Sequence, residues 1–90
     1  MKKKKPDLEG LLAVVTDAPG AWPKGTRVLK LATPEKDSHQ PGDMATVIGS
    51  MKNPGPQFPQ VKFMYCLEWD DAPGVPVFCA DWKLQKVTVQ

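Results

Sequence analysis

Nine consecutive residues constrain this chain more than any others. Between Val61 and Trp69, the large side chains Val61, Phe63, Tyr65, Leu67 and Trp69 alternate with Lys62, Met64, Cys66 and Glu68. A period of two puts successive side chains on opposite faces of an extended strand, whereas a helix would scatter the same rings around its surface. The stretch therefore predicts a strand whose bulky face enters a core and whose Lys62 and Glu68 face outward. Asp70-Asp71-Ala72-Pro73-Gly74 follows as a turn, Pro supplying a fixed φ and Gly a permissive one.

The rest of the chain is cut into similar short pieces. Ten Pro and seven Gly in 90 residues interrupt it too often for long helices and favour short strands joined by turns. Thr26–Leu31 reads as a first strand, with Arg27, Leu29 and Leu31 on one face and Thr26, Val28 and Lys30 on the other. Thr33–Asp43 is almost wholly polar, carries two prolines and predicts a long surface loop. Ala45–Met51 is the second strand, and Asn53–Pro59 a second loop. After the aromatic strand, Val75–Cys79 returns as a fourth strand, which Pro76 confines to an edge or a bulge. Asp81-Trp82-Lys83 predicts a brief helical turn, and Leu84–Val89 a closing strand. The expected architecture is all-β: a small barrel of about five strands with a long loop after the first barrel strand.

Size and charge bound the function. Ninety residues make one domain with a modest core, too small to enclose a deep active-site cavity. An apolar content of 41 % is too high for a disordered chain. Residues 1–19 read as a basic tail, Met1–Lys5, followed by an apolar run, Leu8–Thr16, whose β-branched end favours an extended segment; residues 20–90 form the globular part. Each of these two parts has a formal charge of +1. A dedicated nucleic-acid domain shows a clear basic excess on its folded part, and this one has none. The apolar stretch Leu11–Val15 is too short for a signal core or a membrane span, so the expected setting is cytoplasmic, away from membranes, with reduced thiols.

Three segments carry a family resemblance. They are Lys24-Gly25-Thr26-Arg27-Val28, Pro41-Gly42-Asp43-Met44-Ala45-Thr46-Val47-Ile48-Gly49, and Tyr65-Cys66-Leu67-Glu68-Trp69-Asp70-Asp71. Together with Trp82-Lys83-Leu84 they resemble the small bacterial SH3-like barrel families, in which "G-x-x-V", "G-T-V", "Y-x-V-x-W/F-D-D" and "W-x-L" segments recur. The resemblance spans roughly residues 22–88. It implies an SH3-like fold without an assigned activity. KOW-type ribosomal and transcription-factor barrels are a more distant comparison, and there a Gly usually stands where this chain has Ala45.

Few residues suit catalysis. His39 is the only histidine, and beside Ser38 and Asp37 in a polar loop it lacks the rigid scaffold a triad requires; it is expected to be solvated. Adjacent Asp70 and Asp71 point opposite ways on an extended chain and make a poor acid–base pair, so a turn role is expected, with their side chains accepting backbone N–H bonds. Cys66 and Cys79, thirteen positions apart with no close partner, do not form a zinc motif and read as small apolar filler, a bridge between them being left to geometry. No Gly-rich phosphate loop is present. No cofactor and no enzymatic activity are expected.

The aromatic residues are the better lead. Tyr65 and Trp69 belong to the expected core. Trp22, Phe58 and Trp82 sit in or beside turn segments, and the resemblance implies a binding face near such loops. A shallow groove lined by Trp22, Phe58 and Trp82 is therefore expected to take an extended peptide or the edge of another protein. The alternative partner is a nucleic acid, with Lys2 to Lys5, Arg27, Lys30, Lys62 and Lys83 contacting phosphates. The oligomeric state stays open.

Overall fold

A computed structural model describes residues 17–34, 37, 39–53 and 55–88. Five strands form one antiparallel sheet: β1 (Arg27–Lys30), β2 (Met44–Lys52), β3 (Phe63–Trp69), β4 (Pro76–Ala80) and β5 (Leu84–Lys86). Their order across the sheet is β4-β3-β2-β1-β5, and a single 3₁₀ turn, Asp81–Lys83, separates β4 from β5. No α-helix occurs among the described residues, and none of their helical segments is long and apolar enough to cross a membrane. The expected tail and the extended Leu8–Thr16 segment lie outside the described residues.

The alternation in the aromatic strand persists in three dimensions. Tyr65, Leu67 and Trp69 are buried on one face of β3, with Val28 of β1, Ala45 and Val47 of β2 and Leu84 of β5. Phe63 continues that face half-buried, and Val61 is buried just before the strand begins. The opposite face is not simply wet, because Cys66 is also fully buried. On β1 the buried face is the one that carries Val28 and Lys30, while Leu29 is half-buried on the other. The ladder explains this: Val28 stands opposite Ala45, and Lys30 opposite Leu84.

A bulge in β2 adjusts the second half of that strand. Val47 pairs with Leu67, but the next matched pair is Gly49 with Cys66, so Ile48 is the extra residue. An inserted residue exchanges the faces that follow it. Ser50 thereby arrives opposite Tyr65 in the buried layer, where its Oγ accepts the Ala18 N–H at 2.9 Å. Pro76 lies in β4, an edge strand, where a missing N–H breaks no ladder. In the turn before it, Gly74 has φ +83°, a left-handed conformation that glycine adopts without a Cβ clash.

The expected barrel does not close: hydrogen bonding stops at β4 on one side and β5 on the other. Yet the sheet cannot be flat. Four strand spacings would separate its edges by about 19 Å. The four peptide steps from Ala80 to Leu84 span at most about 14 Å, and a 3₁₀ turn covers less. The sheet must curl until its two edges approach at that corner. A backbone bond from Leu31 N–H to Lys83 O, 2.9 Å, fastens the corner to the end of β1.

Leu67 sits at the centre of the buried layer with no exposed surface. Leu67→Ala is expected to lower stability by about 2–5 kcal/mol in guanidinium unfolding, through lost transfer energy and a residual cavity. Val75→Ala, at a position 52 % exposed, changes it by no more than about 0.5 kcal/mol.

Candidate functional site

The seam left open beside β4 is a cleft of about 370 Å³. Val77, Phe78, Cys79 and Ala80 of β4 line one wall. Neighbouring residues of a strand point to opposite faces, so a wall containing all four runs along the strand's edge rather than over one face. The far wall holds Lys30 from the end of β1, Asp37 and His39 from the following loop, and Lys83 from the 3₁₀ turn. Phe58 and Trp82 line the cleft as well, and Trp69 of the core contributes to its lining.

Local chemistry sets each of these in place. Asn53 braces the second loop twice: its Nδ2 donates to Phe58 O at 3.2 Å and its Oδ1 accepts the Gly55 N–H at 2.6 Å. The Phe58 N–H bonds Gly55 O, and the Val61 N–H bonds Phe58 O, which presents the Phe58 ring at the mouth. The first loop, expected to be solvated, is instead pinned to the sheet. The Lys30 Nζ, on a side chain only 3 % exposed, donates to Leu31 O at 2.8 Å and pairs with Asp37 Oδ2 at 3.0 Å. The Lys83 Nζ pairs with the other oxygen of Asp37 at 3.1 Å, and Thr33 Oγ1 donates to Asp37 as well. A buried ammonium is tolerated only with such partners. Hydrogen bonds from Lys30, then Thr33 and Lys83, hold the Asp37 carboxyl at about 2, far below the usual carboxylate value.

His39 is the residue that sequence reasoning misjudged most. Its ring stacks on Trp69, with centroids 3.9 Å apart and planes 12° from parallel, and its Nε2 lies 3.3 Å from Asp71 Oδ1. Asp70 is likewise drawn out of a purely local turn role. Arg27 donates to both its oxygens, at 2.8 and 2.6 Å, and to Thr46 Oγ1 at 2.8 Å, joining β1 to the turn after β3. That fork holds the Asp70 carboxyl below its ordinary value and raises the Arg27 guanidinium. It is the Glu68 carboxylate that caps the turn, accepting the Gly74 N–H at 2.7 Å.

The five expected binding residues are thus divided. Phe58 and Trp82 come together at the cleft, 42 % and 37 % exposed. Trp22 does not join them; it stacks on Tyr65 at 4.9 Å, and its backbone N–H donates to the Tyr65 hydroxyl, so it packs against the core. Arg27 and Lys30 are engaged with Asp70 and Asp37. Phe78, 43 % exposed on β4, completes the aromatic rim and went unrecognised in the sequence because strand alternation alone cannot mark which edge stays open. Lys83 Nζ lies 5.3 Å from the centroid of the Trp82 ring, a cation–π spacing that steadies it.

One polar group at the site is left over. The Trp69 Nε1–H is buried and has no hydrogen-bond partner. An indole N–H can only donate, and a buried donor without an acceptor costs about 1–3 kcal/mol.

The thiols are free. Tyr65 stands opposite Cys79 and Cys66 opposite Phe78, so the two sulfurs project from opposite faces and cannot bridge. Burial pushes both thiols up, away from the thiolate form that reacts. Among the described residues no group of three or more His, Cys, Asp and Glu side chains could hold a metal ion. Compared with models of known families, with curated proteins and with solved structures, the chain finds no match in any of the three.

A carboxylate lowered by folding stabilises the protein above the unfolded carboxylate value and loses that contribution as pH falls through the folded one. With Asp37 at about 2, stability is expected to decline between about pH 4 and pH 2. Thermal unfolding across that range checks this, and Asp37→Asn should be less stable at pH 7 with a flatter acid limb.

Proposed function

We propose that this protein is a non-enzymatic binding module of SH3-like kind, which receives an extended segment of a partner protein along β4. One observation carries the reading. Of the four large apolar side chains exposed among the described residues, Phe58, Phe78 and Trp82 line the same cleft, and only Val75 stands apart. Aromatic anchors around a preformed concavity are what an interface hot spot requires. The edge of β4 beside them supplies backbone groups to which an extended chain can add as a further strand. A regulatory or accessory role in a larger assembly follows from such a module.

Nucleic-acid binding is the weaker reading. Arg27 is forked onto Asp70, and Lys30 and Lys83 share Asp37, so phosphate contacts by these three would require internal ion pairs to break. Lys24, Lys52, Lys62 and Lys86 are exposed, but a globular part with a formal charge of only +1 gives little net counterion release.

Selection from a library of extended peptides, followed by titration calorimetry, tests the proposal. The selected peptide should bind the Phe58→Ala and Phe78→Ala variants at least about tenfold more weakly, with little change when salt is raised. Equal loss in Trp22→Ala, or a steep salt dependence shared by single-stranded nucleic acid, would contradict it.

A further inference from the structure

We infer that in the free protein the edge of β4 is occupied by this chain's own N-terminal apolar run, residues 8–16, added as a further strand. The inference rests on the proposed reception of an extended segment and names what holds that place before a partner arrives. The two edges of the sheet differ in a way that points there. β5 is three residues long and carries an exposed Lys86, and both features discourage pairing. β4 is five residues long, Pro-Val-Phe-Cys-Ala, and bears no charge. Its free backbone groups follow from the ladder. The Asp70 N–H bonds Met44 O, so even-numbered residues along β3 direct their backbone groups to β2 and odd-numbered ones to β4. Leu67 and Tyr65 therefore bond Val77 and Cys79, and the N–H groups of Phe78 and Ala80 aim outward. The third outward position is Pro76, which has no N–H to leave unpaired. The exposed Phe78 ring sits at the middle of this edge.

Chain length and charge select the occupant. Ala18 is tied to Ser50, and Ser50, Tyr65 and Cys79 stand in one row across β2, β3 and β4. From that anchor the place beside β4 lies three strand spacings away, about 14 Å, which about five extended residues cross. A further five match β4 in length, so residues 8–17 suffice. Leu8, Leu11 and Leu12 then come to the rings of Phe58, Phe78 and Trp82. Continuing from Cys79 toward Pro76, the segment carries Lys2 to Lys5 to the turn after β3. Glu68, Asp70 and Asp71 outnumber Arg27 there, and the Asp71 side chain is 68 % exposed. A basic tail and an acidic turn thus meet at one end of the strand. A foreign segment must displace the chain's own, which lowers its apparent affinity by the fraction of molecules whose edge is free.

Amide hydrogen exchange of the whole chain, read residue by residue, tests this. The Phe78 and Ala80 amides should exchange at least about tenfold more slowly in the wild type than in a Leu11→Asp, Leu12→Asp double variant, at every protein concentration. The β2–β3 ladder amides stay protected in both proteins and show that the variant is folded. Library-selected peptides should bind the variant at least about tenfold more tightly than the wild type. Free exchange at Phe78 and Ala80 in the wild type, or equal peptide affinity for the two proteins, overturns the inference and leaves the module standing. Protection that grows with protein concentration overturns it as well, because a second copy then supplies the strand. If no peptide binds even the variant, whose edge is open, the module reading fails and the inference fails with it.

Discussion

Three residues, Asp81 to Lys83, join two strands that stand at opposite edges of a five-stranded sheet. So short a link forces the sheet to curl, and the curl produces both main features of the molecule. It gathers Val28, Val47, Leu67 and Trp69 into one enclosed layer, which a flat sheet of this size would leave open to water on that side. It also brings the edge of β4 near the end of β1 without joining them by a ladder, and the cleft is the space that remains.

The polar contacts around that space act between elements rather than within them. Asp37 joins Lys30 of β1 to Lys83 of the 3₁₀ turn, and Asp71 joins the first loop to the β3–β4 turn through His39. The Lys30 ammonium is the costliest group of the set to bury, and its carbonyl and carboxylate partners offset the lost hydration. Exposed pairs such as Arg27 with Asp70 add less to stability. Their effect is to fix the angle at which the turn leaves the sheet.

Much of the strand pattern was legible in the sequence. A period of two over Val61–Trp69 can hardly mean anything but a strand, Pro76 limited its strand to an edge or a bulge, and Asp81-Trp82-Lys83 read as a brief turn between two strand-like segments. The face of β1 was harder to read: two leucines compete with one valine and a lysine, and the lysine enters because Leu84 and Asp37 receive it. The bulge at Ile48 was not legible either: unbroken alternation would carry Met51 to the core face, and the bulge puts the polar Ser50 there instead. At the candidate site, the exposed rings of Phe58 and Trp82 were visible from their turn contexts. His39 on Trp69 and Asp70 on Arg27 were not, because those partners are brought together by the curl across 30 and 43 positions of chain.

That assembled seam is the claim on which the functional account stands. A nuclear Overhauser spectrum of the protein in solution tests it most directly. Cross-peaks between the His39 ring and the Trp69 indole, alongside those of the β2–β3 ladder, are the predicted result. Ladder peaks present with the His39–Trp69 peaks missing would describe a sheet without its far wall, and would contradict the account.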